Sequence, residues 1–105
     1  MANALRGEAD VRADGRLVTL RLTLGALAEL EQALGAGSLL EIAERVEQGR
    51  LSAADIRAVL AAGFRGAGHR EEAEGVGDMA FEGGAAGAAA AAVRLLTAAF
   101  TGAAE

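Results

Sequence analysis

An α+β fold is predicted: an N-terminal β-hairpin followed by three to four α-helices, packed as one small domain. Three observations lead there. Residues on either side of Asp14-Gly15 alternate between apolar and polar with a period of two. From Thr23 onward, leucines recur at steps of three and four. The last long segment is dominated by alanine, which loses no side-chain entropy on entering a helix.

The expected organisation over 1–105 is a hairpin at 5–22, helices one to three within 23–66, a Gly-rich loop region at 67–84 and a C-terminal helix at 85–101. A single core suffices for 105 residues, since such a chain buries roughly two-thirds of its unfolded surface. In the hairpin, Asp14-Gly15 suits a two-residue turn that needs positive φ at both positions. Val11 on one side, and Val18, Leu20 and Leu22 on the other, form the inward face.

Helix one begins after Thr23, whose hydroxyl can cap it, and carries the stripe Leu24, Leu27, Leu30, Leu34 until Gly35 and Gly37 stop it. Leu27 and Leu30 are expected to pack on the hairpin face of Val18, Leu20 and Leu22. Ser38-Leu39-Leu40-Glu41 reads as a capping box opening helix two, which Gly49 ends. Ser52-Ala53-Ala54-Asp55 is a variant of that signal, and helix three then carries Ile56, Val59, Leu60 and Phe64. Gly66, Gly68, Gly75, Gly77, Gly83 and Gly84 break up the next stretch, and His69-Arg70-Glu71-Glu72 suggests a polar turn or short helix. The final helix is expected to show Val93, Leu96 and Phe100 as its bulky stripe, with Leu95 flanking.

Charge narrows the function. Fifteen acidic residues outnumber ten basic ones, for a net charge of −5. Nucleic-acid binding needs the opposite balance, so no nucleic-acid partner is expected. All ten bases are arginine, a usage that matches the Ala- and Gly-rich composition of a GC-rich genome. With no cysteine, disulfides and thiolate metal sites are excluded. The N-terminus lacks the apolar core of a signal peptide, which gives the expectation of a cytoplasmic protein. The apolar run 83–100 is mostly Ala and Gly and contains Arg94, so no membrane partner is expected; a central arginine costs about 2.5–3.5 kcal/mol on insertion scales.

Candidate chemistry is sparse. Gly75-Val76-Gly77-Asp78-Met79-Ala80 fits a dinucleotide-binding pattern, but that motif needs a preceding strand, and His69 to Glu74 is polar and acidic. His69, the only histidine, is accompanied by Glu71, Glu72 and Glu74 but by no nucleophile in recognisable spacing. Glu41, Glu44 and Glu47 lie along one helix side and read as a solvated face. No catalytic residue, metal ligand or cofactor is therefore expected. Surplus apolar surface is the more informative feature, in the doublets Leu39-Leu40, Leu17-Val18 and Leu95-Leu96. Leu17, Leu20, Leu39, Leu40, Leu95 and Leu96 are the candidate protein-binding residues, in a groove or edge that takes a partner's helix or strand. The strand Arg16 to Leu22 has no proline or lysine to blunt its edge, so a homo-oligomer is expected.

The stretch Leu20-Arg21-Leu22-Thr23-Leu24-Gly25-Ala26-Leu27-Ala28-Glu29-Leu30-Glu31, preceded by a short hairpin, resembles a family of small proteins of gene transfer agents and tailed phages. The family is described as tail tube or tail-assembly chaperone proteins. Leu51-Ser52-Ala53-Ala54-Asp55-Ile56, Leu60-Ala61-Ala62-Gly63-Phe64-Arg65-Gly66 and His69 continue the resemblance. It implies a chaperone without catalysis that binds the tape-measure protein and recruits tail-tube protein in the bacterial host cell. The alternative it leaves open is a structural tail tube or tail terminator subunit retained in the particle.

Overall fold

The computed structural model describes residues 2–101. After a 3-10 turn at Ala4–Arg6 come β1 (Glu8–Ala13), β2 (Arg16–Arg21), α1 (Leu24–Leu34), α2 (Leu39–Glu47), α3 (Ala53–Gly66), the short α4 (Arg70–Glu74), a 3-10 turn at Val76–Asp78 and α5 (Gly84–Thr101). The strands form an antiparallel two-stranded sheet pairing Glu8 with Arg21 through Ala13 with Arg16. Asp14 and Gly15 adopt φ of 52° and 78° at the turn, the left-handed pair that matches the strands' twist. Ala9, Val11, Ala13, Val18, Leu20 and Leu22 are buried on one face, as the alternation demands.

The helix starts are set by their caps. Thr23 Oγ1 accepts the Ala26 N–H at 3.1 Å, and Gly35 at φ 63° ends α1. At α3 the box is reciprocal: Ser52 Oγ accepts from Asp55 N–H, and Asp55 Oδ2 accepts from Ser52 N–H, both at 3.1 Å. At α2 only half of it forms. Ser38 Oγ accepts from Glu41 N–H, but the longer Glu41 side chain reaches past Ser38 to accept from Gly37 N–H at 2.7 Å.

The packing departs from expectation in one important way. Leu27 and Leu30 are buried, yet α1 packs on α3; the hairpin's apolar face is covered by α3 and α5. Glycine notches let α3 come this close. A Cβ on Gly63 would lie 2.5 Å from Leu95 Cδ2 and 3.1 Å from Leu20 Cβ, and one on Gly66 would collide with the Arg21 carbonyl. Phe64, Val59, Leu60 and Ile42 fill the centre.

The region 67–84 holds more order than a loop. His69 sits at the N-terminal cap position of α4, with Nδ1 3.4 Å from Glu72 Oε1 and its ring edge-on to Phe64. Glu72 also pairs with Arg16, tying α4 to the hairpin end. Val76 is buried, and Phe81 forms an isolated bridge with Ala13.

By length and composition α5 could cross a membrane. In this fold its Ala88, Ala91, Ala92, Leu95, Leu96 and Ala98 face the core, and Arg94 donates to the Asp10 carbonyl at 3.0 Å. Its stripe differs from the expected one. Leu95 and Leu96 are both fully buried while Val93 is exposed, because small alanines one turn away continue the buried face that the bulky residues alone do not trace.

Candidate protein-contact surfaces

The six leucines singled out from sequence separate by burial. Leu20, Leu95 and Leu96 belong to the core: Leu20 is 1% exposed and the other two 0%. Leu20 lies on the inner face of β2, where α3 presses at Gly63, and Leu95 fills the same notch. They hold the hairpin on the helices, so in this fold they are corrected from surface contacts to packing residues. Leu39 is half-buried against the core. Leu17 and Leu40 remain outside, 56% and 70% exposed. They are not brought together, because α2 packs on α1 and α5, away from β2.

Sequence reading missed other exposed apolar side chains: Leu5, Leu24 and Val93. It also missed a groove of about 660 Å³ between the start of α3, the segment from Val76 to Phe81 and the first turns of α5. Ile56, Leu60, Val76, Met79 and Phe81 give it an apolar floor, and Arg57 is its charged lining residue. Met79 and Phe81 were the available signal, two large apolar residues within a Gly-rich stretch. They lacked any periodicity that would have assigned them a face.

The two edges of the hairpin differ sharply. The outer edge of β1 is occupied. Asp14 N–H donates to the Ala80 carbonyl at 2.8 Å, Glu82 N–H to the Arg12 carbonyl at 3.0 Å, and Arg94 to the Asp10 carbonyl. These bonds also show that the even-numbered residues of β1 point their backbone groups outward. Their partners Leu17, Thr19 and Arg21 therefore do the same on β2. The Arg21 carbonyl abuts Gly66. The outward N–H and C=O groups of Leu17 and Thr19 have no hydrogen-bond partner among the described residues.

Polar constellations do not converge on any of these surfaces. No polar or charged residue is buried among those described, and no group of three or more potential metal ligands is found among them. Gly75 comes after a helix instead of a strand, and Val76–Asp78 forms a 3-10 turn well ahead of α5, so the glycine pattern lacks the strand-turn-helix frame of a phosphate cradle. His69 and Glu72 are engaged in joining α4 to the hairpin end and to Phe64.

Fold and surfaces together define a small α+β domain whose distinctive outward features are a strand edge, an apolar groove and isolated leucines. The family described as phage tail tube protein, GTA-gp10, matches residues 6–102, and the chain belongs to that family. No curated protein and no solved structure matches it. The description names the tail tube, and so agrees with the structural alternative better than with an assembly chaperone.

Proposed function

We propose that the protein is a non-catalytic subunit of a phage-like or gene-transfer-agent tail, associated with the tail tube and retained in the finished particle. The observation that carries this reading is the match of residues 6–102 to a family described by the tail tube. The surfaces are consistent with it, because strand edges and apolar grooves serve contacts between polypeptides. Its partners would be the tail-tube protein and further copies of itself, met in the cytoplasm of the host while particles assemble.

The groove floored by Ile56, Leu60, Met79 and Phe81 supports a second reading, in which the chain is a chaperone that shelters an apolar helix of the tape-measure protein and then departs. Quantitative mass spectrometry of purified particles separates the two. A retained subunit appears in fixed ratio to the other tail proteins. Absence from particles, in cells whose tails fail to form without the protein, would replace the structural reading with the chaperone.

A further inference from the structure

We propose that the open edge of β2 pairs with the β2 edge of a second copy, antiparallel about a two-fold axis, and that this contact closes at two copies. The two edges of the hairpin are asymmetric whatever the protein's place in a tail: on β1 the outward carbonyls of Asp10 and Arg12 are taken by Arg94 and Glu82, and the 80–82 segment lies along the edge, whereas on β2 Leu17 and Thr19 present both N–H and both C=O groups with no partner among the described residues. An unblunted edge of this kind is a template for another strand.

The geometry selects one register. Outward-facing groups must meet outward-facing groups, so Leu17 can pair with itself, with Thr19 or with Arg21 of a second copy, and Thr19 with Leu17 or itself. Leu17 paired with itself sets Thr19 opposite the Gly15 turn, outside the strand ladder. Pairing through Arg21 requires its carbonyl, which lies against Gly66. Pairing Leu17 with Thr19 of the second copy, and the reverse, uses all four free groups on each chain and leaves Arg21 out of the ladder. That register sets Arg21 beside the Asp14-Gly15 turn of the second copy at both ends of the contact. The exposed Leu17 is covered by the second copy's Thr19.

Because only one edge of each hairpin is free, sheet pairing cannot pass through a copy to a third. A two-fold contact of this kind uses the same patch on both chains and closes, whereas a ring or tube needs two different patches. The dimer would thus be a form distinct from any tube wall.

Analytical ultracentrifugation of the full chain tests this directly. The expected result is a reversible equilibrium between a monomer of 10.5 kDa and a species of twice that mass, with nothing larger. Leu17→Lys places a charge on the edge, and Thr19→Pro removes an outward donor from each chain. Each should weaken the dimer about tenfold or more, the equivalent of about one hydrogen bond. Circular dichroism should show Leu17→Lys still folded; if Thr19→Pro disturbs the hairpin, Leu17→Lys carries the test. As the chain has no cysteine, register can be read from introduced thiols. A mixture of Leu17→Cys and Thr19→Cys proteins should form the mixed disulfide well above either homodimer, since directly paired residues lie about 5.5 Å apart and diagonal ones about 7–8 Å. A monomer at every concentration, a dimer unaffected by Leu17→Lys, or equal cross-linking in all three combinations would each overturn the proposal. None of these results bears on whether the protein is found in particles.

Discussion

Two helices hold this fold together by opposite means. In α1 the buried positions are Ala26, Leu27, Leu30 and Leu34, mostly large side chains whose spacing is visible at once. In α5 they are Ala88, Ala91, Ala92, Leu95, Leu96 and Ala98, mostly small ones. Large residues fill space between elements that stand apart, and small ones let elements approach until backbones nearly touch. The hairpin is gripped in the second way, by α5 and by the glycine notches of α3, while α1 supports α3 from behind. A leucine stripe therefore marks a helix that packs, but it does not say against what.

Both modes of packing meet at one shared centre, and the largest effect is expected there. Phe64 is fully buried, and Phe64→Ala should cost about 3–5 kcal/mol, enough to unfold a marginal domain. The next test sets the two helices against each other. Leu30→Ala in α1 and Leu96→Ala in α5 should each cost about 2–5 kcal/mol by chemical denaturation. If Leu96→Ala shifted the midpoint no more than a surface change does, α5 would not be a core helix.

Gly66→Ala probes the close approach of α3 to the hairpin. Its Cβ would strike the Arg21 backbone carbonyl, which has little room to move, so a loss of about 1–3 kcal/mol is expected despite the better helix propensity of alanine. The smallest effects belong to the outward leucine and valine. Leu40→Ala and Val93→Ala should each stay within about 0.5 kcal/mol of the parent, measured in the same denaturation series. A large loss at Val93 would mean that the bulky residues of α5, and not its alanines, mark the buried side.

The candidate surfaces were legible only in part. Leu17 was recognisable because a strand with inward Val18 and Leu20 must turn Leu17 outward, and the open β2 edge was signalled by the absence of proline and lysine there. Leu95 and Leu96 misled as a doublet. Adjacent helical residues are about 100° apart, and a helix wedged between α3 and the hairpin buries both. The groove was invisible because its lining comes from three segments distant in the chain.

Local structure was written into short stretches of the chain. Asp14-Gly15 set the turn through its positive φ, Thr23, Ser38 and Ser52 set the helix starts through their hydroxyls, and Gly35 and Gly49 set two of the ends. Each depends on groups within four residues of one another. Tertiary packing alone decided that α3 and α5 cover the hairpin, and that the 80–82 segment closes the β1 edge while the β2 edge stays open. Those outcomes depend on which surfaces fit at contact distance, a property of shapes assembled from distant residues that no short window of sequence contains.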